Sequence, residues 1–247
     1  GTSRAIQAGI DAAQRLVQEI SGLQRETVDI SEVVMAIKCG ASDTTSGMAS
    51  NCVIGYVADK LVDLGATVVF GETTEFLGGE HILAKRAVGG ENGPIGQKIY
   101  EIVDRMEKRA KSVGEDMRGG QPTPGNIAGG LSSIEEKSLG AIVKSGHRPI
   151  QGVLEYCDRV DGQKGLWIKD APGREPEILT GMAATARPDT RPASAAQARR
   201  TIAHRFITYS PQGLSRPAGR RARFSKIRER PQCRGVPSKA RAYRFMR

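Results

Sequence analysis

The chain has 247 residues, 38% of them apolar, and a formal charge of +10, enough for one substantial hydrophobic core or two modest ones. No stretch approaches the roughly 20 continuous apolar residues of a membrane helix, and the opening GTSRAIQAGI has neither a starting Met nor an apolar signal core. A cytoplasmic protein beginning inside a longer reading frame is expected. From Ala186 onward 15 Arg and 2 Lys face only Asp189 and Glu229, a net +15 that leaves −5 on the first 185 residues, and an acidic body argues against a general polyanion binder.

Along the chain, Ile6, Ile10, Ala13, Leu16, Val17 and Ile20 fall at helical spacing and predict an amphipathic helix over 4–23, its charged face solvated. VVMAIK (33–38) reads as a buried strand running into Cys39-Gly40. Asp43, Thr44 and Ser46 then offer capping oxygens ahead of a helix over 48–64. ATVVF (66–70) is a second strand, followed by the turn GETTE and a helix from about 76 to 88. A charged helix covers 95–113, a Pro- and Gly-rich loop 119–130, and a helix 132–144, where Ser132 and Glu135 match a capping box. GVLEY (152–156) and LWIKD (166–170) are further strands, with a short helix near 177–184. Alternating strands and helices predict an α/β fold with a largely parallel sheet flanked by helices, Rossmann-like in its layering. After Thr185 the apolar period disappears, so the chain divides into an α/β region, 1–185, and a disordered or irregular basic tail, 186–247. Cys39, Cys52, Cys157 and Cys233 form no CxxC pair and are expected as free thiols in a reducing compartment.

Three polar loops occupy the places where open α/β sheets collect ligands, beyond the carboxyl ends of strands. The first, Lys38 to Gly47, combines an ammonium, a thiol, a carboxylate and hydroxyls before a helix start able to hold an anion, although its Ser, Thr and Asp equally suit a capped turn. The second, Gly71 to Glu75 with Gly79-Glu80-His81, sets carboxylates near an imidazole, a combination for metal binding or proton exchange. A histidine satisfied elsewhere is the plainer reading. The third, Gln121 to Gly130, permits close backbone approach to an anion but has neither Walker nor GxGxxG spacing.

The segments KCGASDTTSG, FGETTEFLGGEHILAKRAV and QPTPGNIAGGLSSIEEKSLGAIVKSG resemble, in order and spacing, the altronate and galactarate dehydratase family. The likeness extends over roughly Gly1 to Thr185 and includes GVLEY, LWIKD and ILTGMAA. It implies an α/β lyase that removes the proton beside the carboxylate of a 2-hydroxy acid and expels the group on the next carbon. Water leaves in the sugar-acid branch, with ferrous iron or manganese as helper, and sulfite leaves in the sulfolactate branch. Such a step needs a base, positive charge for the enediolate and an acid for the leaving group.

On that basis Lys38 is expected as base or carboxylate clamp, Asp43 and Glu80 as proton-transfer groups, and Cys39, Glu72 and His81 as metal ligands. Ser42, Thr44, Thr45, Ser46, Asn126 and the backbone of Gly129 and Gly130 are the expected substrate shell. The implied partners are a small hydroxy acid, a small subunit or N-terminal domain of the same enzyme, and a second copy of the chain. The resemblance also implies residues before GTSRAIQAGI and, after ILTGMAA, an apolar strand and a Thr- and Gly-rich loop where this chain has its tail. The Arg, Pro and Ala bias of that tail is what a shifted reading frame in GC-rich DNA produces, and an inactive binding domain is the corresponding alternative. A polyanion-binding arm is a third reading, weakened by the few aromatics available for base stacking.

Overall fold

A computed structural model describes residues 1–22, 27–171, 175–186 and 206–209. Its centre is a parallel sheet in the order β3-β4-β2-β1-β5, built from β1 (Val34–Ile37), β2 (Thr67–Gly71), β3 (Ile150–Leu154), β4 (Gly165–Lys169) and β5 (Phe206–Tyr209). Strands β1 and β2 are buried along their whole length, which is why they read as unbroken apolar runs rather than as alternating ones. Their register, Val34 opposite Thr67 through Ile37 opposite Phe70, ends both strands level with one another. Strand β4 continues that line, with Gly71 opposite Lys169.

Helices cover both faces. Met35, Ile37, Val68, Phe70, Leu166 and Ile168 point to one side. There they pack against Ile54 and Ala58 of α2 (Asn51–Asp63), Leu83 of α3 (Glu80–Lys85), Ile99, Ile102 and Val103 of α4 (Pro94–Lys111), and Ile142 of α6 (Ile134–Val143). The alternate residue Ala36 faces Ile178 and Met182 of α7 (Glu175–Ala186), and Val34 and Val69 cluster with Leu154, Val160 and Ala186. The alternation of side chains along each strand thus produces a three-layer α/β arrangement, as the sequence pattern predicts.

Several local expectations change. The helix expected over 76–88 is divided: residues Thr73–Phe76 make a 3-10 turn, Gly78-Gly79 break the chain, and α3 starts at Glu80. The expected loop over 119–130 contains a short helix, α5 (Pro124–Ala128), begun by a capping box between Thr123 and Asn126. The capping pair of α6 lies one residue later than expected. Ser133 accepts from the Glu136 amide at 3.2 Å, and Ser132 donates to the Glu136 carboxylate at 2.7 Å. The opening helix, α1 (Thr2–Ser21), has no buried residue, and Ile6, Ile10, Leu16, Val17 and Ile20 stay exposed among the described residues. Cys39 and Cys52 are free thiols as expected, whereas Cys157 is disulfide-bonded.

Part of the block expected to be irregular is a strand: β5 pairs with β1, Val34 opposite Phe206. The β-branched and aromatic run Phe-Ile-Thr-Tyr suits a strand, and the otherwise open edge of β1 offers it backbone partners. The remainder of the predicted tail, 187–205 and 210–247, lies outside the described residues. No described helix is long and apolar enough to cross a membrane.

Helices α2 and α6 touch at a point where only a glycine fits. A Cβ on Gly55 would lie 2.1 Å from the Val143 carbonyl oxygen. A helical Gly→Ala change ordinarily gains up to about 1 kcal/mol. Here Gly55→Ala is expected to reverse that sign and destabilise by roughly 1–3 kcal/mol, read as a lower urea midpoint with an unchanged slope.

Candidate active site

The level ends of β1, β2 and β4 bring three polar segments to one edge of the sheet. Strand β1 delivers Lys38, which is buried, and then Cys39. Strand β2 ends at Gly71, and Glu72 turns the chain with φ 93° and ψ 83°, a left-handed conformation that a non-glycine residue rarely adopts. Strain of this kind persists where the surroundings hold it in place, often at functional sites. Here Glu72 is held on both sides: its carboxylate accepts from the Cys39 amide at 3.2 Å, and its carbonyl accepts from the Glu75 amide at 2.8 Å.

That turn carries Glu75 back toward Cys39. The Cys39 sulfur and one oxygen each of Glu72 and Glu75 lie within 4.8 Å of one another, the one such group of potential metal donors among the described residues. Glu75 is fully enclosed. One of its oxygens takes the Lys144 ammonium at 2.5 Å, and the other, Oε2, is buried with no hydrogen-bond partner. The Cys39 sulfur also touches the Ser42 hydroxyl at 2.9 Å.

The third loop is fastened to the first. Asn126 donates to the Ser42 carbonyl at 2.8 Å, and its own oxygen accepts from Lys137 at 2.8 Å and from the amide and hydroxyl of Thr123. Lys137 donates in addition to Gln121. The Thr44 amide and hydroxyl both donate to the Gly129 carbonyl, at 3.1 and 3.3 Å. A side chain on Gly129 would meet the Cβ of Asp43 at 2.8 Å. On Gly130, at φ +97°, it would meet the Thr44 hydroxyl at 2.4 Å, so both glycines are needed for the loops to close together.

The sequence-predicted residues therefore separate. Lys38, Cys39, Glu72, Ser42, Thr44, Asn126, Gly129 and Gly130 share this edge. Asp43 closes the first loop upon itself: its carboxylate accepts from the Thr45 hydroxyl at 2.7 Å and from the Ser46 amide and hydroxyl at 2.8 and 3.0 Å. The Thr45 and Ser46 hydrogen bonds hold its pKa below the ordinary carboxylate value, which suits a cap better than a base. Glu80 is bound by Arg118 at 3.0 Å, and Arg118 is shared with Glu107. His81 is exposed on α3 and outside the donor cluster, whose third member is Glu75. Glu75, Lys137 and Lys144 carried no signal beyond the three-residue spacing of Glu72 and Glu75. Lys144, at the end of a helix, reads in sequence as a cation placed to suit the helix dipole.

Burial, reinforced by the neighbouring Glu75, raises the pKa of Glu72 to about 7, against the opposing pull of Lys144, Lys38 and Lys137. Burial and Glu75 likewise push the Cys39 thiol up, so both groups hold their protons more tightly than they would in water. A carboxyl raised from 4.5 to about 7 binds its proton more tightly in the folded chain. Its contribution to stability is full below pH 4.5 and is lost as pH rises through 7. Urea unfolding of the metal-free chain is expected to show this decline, and Glu72→Gln is expected to flatten it.

The family model described as D-galactarate/Altronate dehydratase, C-terminal, matches residues 30–187, a span that contains every residue of this edge. The (2R)-sulfolactate sulfo-lyase subunit beta of Chromohalobacter salexigens is 43% identical over 174 residues, 70% of this chain and 44% of that protein. The galactarate dehydratase (L-threo-forming) of Escherichia coli is 38% identical over 67% of this chain and 31% of its own length. The altronate dehydratase of Bacillus subtilis is 34% identical over 72% and 35%. The chain thus spans less than half the length of each of these relatives. With the match covering the chain from β1 to α7, the chain belongs to the D-galactarate/altronate dehydratase family.

Proposed function

We propose that this chain is the catalytic segment of a lyase that takes the proton beside the carboxylate of a 2-hydroxy acid and expels the substituent on the next carbon. The enol so formed rearranges to a 2-oxo acid. The observation that carries this reading is the cluster of half-buried Cys39 and Glu72 with the buried Glu75, acted on by the charges of Lys38, Lys137 and Lys144. The reaction develops negative charge on the substrate carboxylate, and fixed ammonium groups in a poorly hydrated site stabilise it without reorganising. Lys38, at the end of β1, takes the proton or clamps the carboxylate. Ser42, on the loop pinned by Asn126, offers its hydroxyl to a polyhydroxy substrate.

Ferrous iron, or manganese in its place, fits this donor set: one sulfur and two carboxylates, one of which has a buried oxygen left without a partner. Cys39, Glu72 and Glu75 would hold it. When bound, it supplies Lewis acidity toward the developing negative charge. Loss of water from an altronate- or galactarate-like acid is the first reading. Release of sulfite from 3-sulfolactate is the second, supported by the 43% identity to a sulfo-lyase subunit. That relative's name, subunit beta, also supports a companion polypeptide for this chain.

Incubation of the iron-loaded chain with altronate, galactarate and 3-sulfolactate, with 2-oxo acid and sulfite measured separately, decides between the two. A 2-oxo acid from a sugar acid without sulfite is the expected result. Sulfite from 3-sulfolactate selects the second reading, and no 2-oxo acid from any of the three overturns both. Lys38→Met is expected to lower kcat by roughly 100-fold or more; a change confined to KM makes Lys38 a substrate clamp alone.

A further inference from the structure

We infer that Lys144 is a positioning residue for a divalent cation at the Cys39, Glu72 and Glu75 cluster: its ammonium holds one oxygen of Glu75 so that the other is presented to the cation. This rests on the metal site proposed above and names the residue that sets its geometry.

The pair is enclosed, with side chains 3% and 0% exposed, and joined at 2.5 Å through Glu75 Oε1 alone. A buried ion pair kept for structure is stable when the remaining lone pairs of the carboxylate are also satisfied. Glu75 departs from that pattern, because Oε2 is buried and has no partner. Around Glu75 stand the Cys39 sulfur and the Glu72 carboxylate, neither of which offers it a charge-compensating donor. A cation held by Oε2 together with Cys39 and Glu72 would satisfy the orphaned oxygen. Lys144 does not satisfy it, since its ammonium is bonded to Oε1.

Both residues are also held rigidly. Glu75 sits in the 3-10 turn, its amide bonded to the Glu72 carbonyl at 2.8 Å. Lys144 follows α6, whose Ser138 hydroxyl donates to the Leu77 carbonyl at 2.5 Å. Next to it, Ser145 accepts from Arg86 at 2.8 Å. The Lys144 ammonium lies 5.9 Å from the centre of the Phe70 ring, over a buried apolar wall. Groups that orient a ligand from behind in this way typically alter metal affinity by about 10–100-fold when removed.

The test is an anaerobic titration of the full chain with Co2+, followed through the near-ultraviolet charge-transfer band of a cobalt-bound Cys39 thiolate, with Cys39→Ser as the blank. Lys144→Met is expected to bind Co2+ at least about 10-fold more weakly while still reaching a thiolate band at saturation, because Cys39 and Glu72 remain. Circular dichroism reports whether that variant folds. Lys144→Gln, which keeps a donor of similar reach, is expected to lose affinity to a smaller degree and is read in its place if it does not. A thiolate band in the parent with equal or tighter binding in the variants overturns the role of Lys144 and leaves the metal site standing. No band in the parent overturns both.

Discussion

Two carboxylates and a thiol are drawn out of water at the edge of this sheet, and the surrounding fold is arranged so that their charge is met from the other side. Burial disfavours ionisation of Glu72, and the nearby Glu75 carboxylate adds to that cost. The compensating ammonium groups come from three separate places: Lys38 from the end of β1, Lys137 from within α6 and Lys144 from just beyond it. Removing one member of such a set leaves a buried charge without its partner, which is far more costly than never having built the pair. The position of α6 against the sheet, set by the Gly55 contact with Val143, is therefore an electrostatic requirement as much as a packing one.

The turn that carries Glu75 is supported from its opposite side as well. The Thr73 hydroxyl donates to Asp170 at 2.8 Å and accepts from the Ala171 amide at 3.2 Å, so the end of β4 fixes the start of the turn after β2. Arg105 of α4 then holds Asp170 at 2.7 Å and Glu155 at 2.6 Å. Near the same edge Lys169 is fully buried and donates to the Glu155 carbonyl at 2.9 Å; desolvation lowers its pKa to about 8. A row of polar residues at the ends of β2, β3 and β4 thus acts as a brace, and the residues of the donor cluster sit on the part of the edge that it steadies.

Asn126 performs the corresponding task for the loops. Its amide group spends its hydrogen-bonding capacity on Thr123, Lys137 and Ser42, so it acts on a ligand through the loops it joins. The same holds for Asp43, Thr45 and Ser46, whose polar groups satisfy each other. What remains in contact within the cluster is a shorter set: the Ser42 hydroxyl, the thiol, the two carboxylates and the Lys144 ammonium.

The layered α/β fold was legible in the amino-acid order because it depends on local periodicity. Val34–Ile37 and Thr67–Gly71 are apolar without a break since both faces are covered, and the 3.6-residue period of Pro94–Lys111 marks the side of α4 that turns inward. Lys38, Cys39 and Glu72 could be picked out for the same reason, as polar residues at the ends of predicted strands. Glu75 and Lys144 could not, because they are 69 positions apart and become partners only when β2 and α6 are packed together. His81 stood near Glu72 in the chain, yet the Gly78-Gly79 break places it on the exposed side of α3. Sequence alone determined the strands β1 to β4, most of the helices and where the polar ends of those strands would gather, but not β5 or α5. Tertiary packing decided which of those polar groups share a charge, because burial and distance in space, not separation along the chain, set the energy of an ion pair.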